Sequence, residues 1–183
     1  MYPPNKRFSL KETESLPAVL DVEASGFGRG SYPIEVGVAC PNGQTYCSLI
    51  QPEPEWTHWD CRSEQVHGIS RAVLHAHGKS VREVATRLNA LLEGQCVYSD
   101  AWGNDLSWLG TLFEAAGLRQ SFRLESLRAV IGEEQADIWH PTRDAVVIEL
   151  DLKRHRASSD ALILQKTYAR SRALVRGQAN AGQ

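Results

Sequence analysis

Four cysteines are all the thiol chemistry this chain of 183 residues carries, and no two of them form a CxxC pair. Cys40, Cys47, Cys61 and Cys96 therefore argue against a zinc knuckle or a dithiol redox motif, and read as free or buried thiols in a reducing compartment. No apolar run approaches the roughly 18 residues that a membrane span requires. Residues 1–7 lack the apolar core of a signal peptide. The expectation is a cytoplasmic protein without a membrane partner. Charge of either sign is also nearly absent in sum: the net value is −2. That balance by itself neither favours nor excludes nucleic acid.

What is present is an ordinary globular composition, 42% hydrophobic and 23% charged, in a length that fits one domain. The boundaries expected from the pattern are a loose polar arm over 1–15, a single domain over 16–176 and a short flexible tail over 177–183. Charge is unevenly spread. From Lys153 to Arg176 seven basic residues face one acid, Asp160, on an otherwise acidic chain. Such a stretch either holds a phosphate backbone or forms a solvated helix face.

The order of elements is readable from the hydrophobic periods. Residues 19–23, 34–40 and 45–50 alternate or run apolar as strands, and Asn42-Gly43 between the last two is a hairpin signal. Val81, Val84, Leu88, Leu91 and Leu92 have helical spacing over 80–92, with Gly94 as a stop. A buried strand is expected at 96–99 and a helix over 105–116 capped by Asn104. A short strand near Phe122, a helix over 125–131, and helices over 142–153 and 158–174 close the chain. Residues 51–62 carry no assignable period. Three meandering strands followed by alternating helix and strand predict an α/β fold, a central mixed sheet of about five strands flanked by helices.

Three elements carry chemistry. In Asp21-Val22-Glu23 the period of two puts both carboxylates on one face of a strand, which is expensive in an apolar setting unless a cation compensates. Asp105 stands at a helix start, where the helix dipole alone favours an acid. Asp160 is placed similarly, five residues after His155. Asp100 is a rival to Asp105. The HxH pair His75 and His77 has no third ligand nearby and reads as a helix surface. His58 and His140 carry no signal. Trp56, Trp59 and Trp102 read first as packing residues.

In this order the elements resemble the DEDDh (DnaQ-like) 3′→5′ exonucleases of the RNase H-like superfamily. Asp21-Val22-Glu23-Ala24-Ser25-Gly26 is similar to the family's first motif, and Ile34-Glu35-Val36-Gly37 and His67-Gly68-Ile69 to the segments after it. Asp105-Leu106-Ser107-Trp108-Leu109 looks like the middle motif, and His155-Arg156-Ala157-Ser158-Ser159-Asp160-Ala161 the last. The family's usual residues before the middle aspartate are replaced here by Asp100-Ala101-Trp102-Gly103-Asn104. The resemblance implies an RNase H-like fold and hydrolysis of phosphodiesters from the 3′ end of single-stranded or short RNA or DNA. It implies two divalent cations, Mg²⁺ or Mn²⁺, held by Asp21, Glu23, Asp105 and Asp160, with His155 as general base. Ala24, Ser25, Phe27, His67 and Trp108 are the expected substrate contacts. Arg170, Arg172 and Arg176 are expected on the strand upstream of the cut. A homodimer stays open beside a monomer. A catalytically silent nucleic-acid-binding or regulatory module on the same fold is the alternative from another functional class.

Overall fold

The computed structural model describes residues 16–181; the expected arm over 1–15 and the last two residues of the expected tail lie outside them. The chain runs β1 (Ala18–Ala24), β2 (Pro33–Ala39), β3 (Thr45–Leu49), α1 (Cys61–His67), α2 (Arg71–His77), α3 (Val81–Leu92), β4 (Cys96–Ser99), α4 (Trp102–Ala116) and β5 (Arg123–Ser126). A 3₁₀ turn (Leu127–Val130) follows, then α5 (Glu133–Asp137), α6 (Trp139–Leu150) and α7 (Ala157–Ala181). The strands form one mixed sheet in the order β3-β2-β1-β4-β5. β1, β2 and β3 are antiparallel, and β1, β4 and β5 are parallel.

The hairpin signal does what its chemistry dictates. Gly43 takes φ 84, and the Asn42 side chain accepts from the Gln44 amide at 3.0 Å. β2 is buried at every residue because both of its faces are covered. One face joins Leu20, Val22, Leu88, Leu109 and Leu112 in the larger core, against α3 and α4. The other face of the sheet packs on α7 through Val19, Ala39, Ala161 and Leu164. Gly37 sits where the start of α7 crosses β2. A Cβ there would lie 2.1 Å from the Ala157 carbonyl carbon and from the Ser158 nitrogen, so only glycine lets the helix descend this far. Beside it Glu35, fully buried, accepts from the Ala157 amide at 2.9 Å and from Arg156 Nε at 3.1 Å on both oxygens. A strand residue thus caps the helix and neutralises a buried charge at once.

Several local expectations are corrected. Two helices, α1 and α2, had no visible period because each spans two turns; they begin at Asp60 and Ser70, whose side chains accept from Arg62 and Val73 amides. α4 starts at Trp102, so Asn104 lies inside the helix and is not its cap. Residues 125–131 form the end of β5 and a 3₁₀ turn in place of a helix. α6 is displaced toward the N-terminus and stops at Asp151, which adopts φ 46. Ser158 lies within α7, whose start is capped from β2 by Glu35. α7 itself runs through Ala181, beyond the end its apolar pattern suggested.

Candidate active site

β1 and β4 pair only at Ala18↔Val97 and Val19↔Tyr98. Past that point the parallel strands part, and α4 begins in the gap. β1 has an antiparallel neighbour on its other side, so the gap lies at the C-terminal end of β1, where strand direction changes across the sheet. Crevices of this kind are where open α/β sheets place ligands. Leu20, Val22 and Ala24 point into the larger core, which sends Asp21 and Glu23 to the α7 face, opposite Gly37 and Glu35. Asp105 enters from the first turn of α4 and Asp160 from the first turn of α7. The four acids and His155 line one cleft of about 540 Å³.

The cleft is electrostatically costly as it stands. Burial, and then repulsion from Asp105, Glu23, Asp160 and Asp100, raise the Asp21 carboxyl well above the usual carboxylate range. Burial, followed by Asp160 and Glu35, pushes Glu23 to about 7. Burial also raises Asp105 to about 7, against the pull of the Ser99 hydroxyl that donates to its Oδ2. The Val22 backbone also lowers it, yet Asp105 Oδ1 is buried and makes no hydrogen bond of good geometry among the described residues, in a residue with no exposed surface. A buried carboxylate oxygen left bare is an acceptor awaiting a donor or a cation. Carboxylate oxygens of Glu23 and Asp160 and a ring nitrogen of His155 all lie within 4.8 Å of one another. The donor set is hard oxygen with one imidazole, which suits Mg²⁺ or Mn²⁺.

Asp160 is held before any ion arrives. Arg154 Nε donates to its Oδ1 at 2.6 Å, and the His155 backbone amide to its Oδ2 at 2.8 Å. The second bond reaches back over the helix start and fixes His155 in the left-handed region, φ 58, which is unusual for a residue with a side chain. The imidazole consequently stands exposed at the rim of the cleft, beside Glu23 and Asp160. Asp100 lines the same cleft and is the first acid in its effect on Asp105, but its side chain is 37% exposed and lies 3.8 Å from Arg143. It is also the last of the four acids in its effect on Asp21, whereas Asp105 is the first.

The expected substrate contacts divide. Ala24, Phe27, His67 and Trp108 line the cleft. Phe27 is 68% exposed, and its ring centroid lies 5.8 Å from that of Trp108. His67 is buried; its Nδ1 accepts from the Ile69 amide at 3.0 Å, leaving Nε2 as the protonated nitrogen, with no partner. Ser25 does not line the cleft. It is buried beneath the turn, hydrogen-bonded to His58 at 3.1 Å and accepting from the Tyr32 amide. Gly26 explains why the turn is tight: at φ 147, a Cβ would meet His58 Cε1 at 2.7 Å and Asp60 Cβ at 2.8 Å.

Arg62, Val66, Arg143 and Arg154 also line the cleft and carried no sequence signal beyond their charge or their apolar character. The arginines of α7 do not join it. Arg170 pairs with Glu149, and Arg172 lies over the Tyr168 ring, beside a separate hollow with Pro17 and Tyr98 near the start of β1. The expectation that they track an upstream strand is corrected on that ground for those two residues. Trp56 stacks on Tyr32, Trp59 donates to Glu64, and Trp102 donates to the Leu124 carbonyl, so all three pack away from the cleft. His75 and His77 lie exposed on α2.

No family model matches the sequence, and no curated protein matches it. Among solved structures the chain shares its α/β fold, a five-stranded mixed sheet between helices, with exonuclease I. It superposes on E. coli exonuclease I in complex with a dA16 oligonucleotide with a TM-score of 0.63 at 13% identity, over 84% of this chain and 40% of that one. The E. coli enzyme in complex with a 5cy-dA13 oligonucleotide gives 0.59 at 13% identity, over 82% and 39%. A moderately thermophilic exonuclease I from Methylocaldum szegediense gives 0.53 at 13% identity, over 71% and 30%. The chain thus spans two fifths or less of the length of these structures.

Proposed function

We propose that this chain is a metal-dependent 3′→5′ exonuclease acting on single-stranded or short nucleic acid. The observation that carries the reading is the bare, fully buried Asp105 Oδ1 in a cleft where Glu23, His155 and Asp160 converge within 4.8 Å. Three further acids gathered around a buried carboxylate of this kind are most simply compensated by bound cations. Two divalent cations held by Asp21, Glu23, Asp105 and Asp160 would supply an acidified water and neutralise charge on the leaving 3′ oxygen. The chain's own residues supply the rest.

His155 accepts the proton of the attacking water, from a rim position that solvent reaches and that the Asp160–amide bond holds in place. Arg154 has its Nε on Asp160 and its remaining guanidinium donors toward the cleft, so it orients Asp160 and offers charge to the scissile phosphate. Phe27 and Trp108 form an aromatic wall for the terminal base, which any base satisfies through its π face. The free Nε2–H of His67 supplies one directional donor on the same side. The 3′ polarity is supported by the order of motifs and by the likeness to exonuclease I structures holding oligonucleotides.

A 5′-labelled single strand incubated with Mg²⁺ or Mn²⁺ should shorten from its 3′ end as a ladder, and a 3′-phosphate should slow it. Internal fragments ahead of any ladder would make the enzyme an endonuclease. Binding without cleavage in either metal would leave the silent module on the same fold as the correct reading.

A further inference from the structure

A second cleft, of about 410 Å³, opens beside the first. Asp100 and Arg143 belong to both, so the two form one trough that passes over this pair. The floor of the second part is apolar and partly aromatic: Leu127 is buried, and Ile131 and Trp139 are half-buried. Its rim carries two exposed groups that donate to anions, Arg128 and His140.

Arg143 stands at the junction with its donors unspent. Its Nε is buried and has no hydrogen-bond partner among the described residues, and its Nη2 is 3.8 Å from Asp100, too long for a hydrogen bond. A guanidinium offers five donors in a plane, and burying one unsatisfied is costly until an anion takes it. The trough therefore repeats, step by step, the needs of a nucleic acid backbone. The acid cleft comes first, then a cation at the junction, then an apolar floor beneath a basic rim. Stacking on such a floor is worth about 1–3 kcal/mol per base and tolerates any sequence.

We propose that the second cleft is the subsite for the nucleotide upstream of the scissile bond, with Arg143 and Arg128 on its phosphates and Leu127, Ile131 and Trp139 under its base. The assignment rests on the nuclease reading above. It also makes the 3₁₀ turn, α5 and the start of α6 the strand-binding face, in place of α7. A protein that uses this face holds a strand longer than one nucleotide more tightly than a mononucleotide, with a salt dependence set by these arginines.

The test is a double variant on the exposed rim, Arg128→Glu with His140→Ala, which leaves every residue of the acid cleft in place. Binding of a 5′-labelled single-stranded octanucleotide is followed by fluorescence anisotropy in Ca²⁺, beside binding of thymidine monophosphate. The octanucleotide should bind about tenfold more weakly, and the slope of log affinity against log salt should fall by about one. Mononucleotide affinity, and the hydrolysis in Mg²⁺ of the p-nitrophenyl ester of thymidine monophosphate, should not change. Arg128→Lys should retain the octanucleotide affinity, because it keeps the charge. Unchanged octanucleotide affinity and salt slope in the double variant would overturn the assignment. So would equal losses for the octanucleotide and the mononucleotide, which would place the effect in the acid cleft. A wild type that shows the length dependence but cuts neither substrate would instead sink the nuclease reading and leave the subsite standing.

Discussion

Replacing Asp105 by asparagine should stabilise the metal-free protein while abolishing its metal response. Burial is the main reason the Asp105 carboxyl rises from 3.8 to about 7. Between those values the folded chain holds a proton that the unfolded chain has released, so stability falls as pH rises through the window. The contribution is fully present below about pH 4 and gone above about pH 7. A shift of about three units corresponds to a ceiling of about 4 kcal/mol. Water entering the cleft and screening by solvent at its mouth reduce this, and about 2 kcal/mol is the figure to test. For a chain of this length that is roughly 4–8 °C in Tm. The assay is thermal melting in EDTA at pH 5 and pH 8, for wild type and Asp105→Asn. The variant should melt a little above the wild type at pH 5, where the unfolded carboxyl is already ionised, and further above it at pH 8. Mg²⁺ or Mn²⁺ in excess should raise the wild-type Tm and leave the variant nearly unmoved, reversing their order. A variant that melts at or below the wild type at pH 8 without metal would refute the claim that the ionised Asp105 carboxylate is costly in its buried place.

Activity separates the remaining acids and their supports. Asp105→Asn should be inactive and Asp100→Asn active in the ladder assay; the reverse result would move the metal site to the outer acid. His155→Ala should lower kcat by 10²–10⁴-fold, the usual range for a general base, with little change in KM or metal affinity. Near-normal turnover would remove His155 from the chemistry. Gly37→Ala must push the start of α7 off β2, since the new methyl has 2.1 Å where it needs more than 3. Chemical denaturation should show a loss of 1–3 kcal/mol or more. The folded fraction should also lose activity, because Asp160 moves with the helix. A variant of wild-type stability and activity would show that α7 is not seated through this glycine. Glu35→Ala should cost about 1–3 kcal/mol, chiefly by leaving the buried Ala157 amide without its acceptor while Arg156 keeps part of its surface in solvent; a loss below about 0.5 kcal/mol would show that the helix start does not depend on this cap.

The strands and the larger helices were legible because each has a period that one segment displays alone. Val81, Val84 and Leu88 declare a helix without help from the rest of the chain, and Asn42-Gly43 declares a turn. Motif order made Asp21, Glu23, Asp105 and Asp160 candidates for one site, and the fold brings them to one cleft. Residues whose role comes from a distant partner were not legible. Glu35 and Gly37 were seen only as pieces of a motif, yet their function is to receive a helix start more than a hundred residues later. Ser25 looked like a substrate contact because of its place in the turn, and burial against His58 and Tyr32 gives it a different task. α1 escaped notice, and α2 was glimpsed only through His75 and His77, because two turns are too short for a period to establish itself. The charge run on α7 could not reveal that Arg170 would be paired with Glu149, nor that Arg143, from a segment with no basic cluster, would reach the cleft.

The seating of α7 on β2 also has a kinetic consequence. β1, β2 and β3 are neighbours in sequence and can pair as soon as they are made. The face of β2 around Gly37 is covered by the start of α7, at Ala157 and Ser158, and the Glu35–Arg156 contact spans 121 positions of the chain. Closing a loop of that length is slow, and long-range pairing of this kind places the protein among the slower folders. Until α7 docks, a strand that is apolar on both faces remains open to solvent on one of them, with an unneutralised glutamate at its centre. An apolar strand face left open in this way is the kind of surface through which partly folded chains self-associate. Asp160 arrives with the same helix, so the complete acid cluster appears only in the last step, and a divalent ion would report the end of folding and not its beginning.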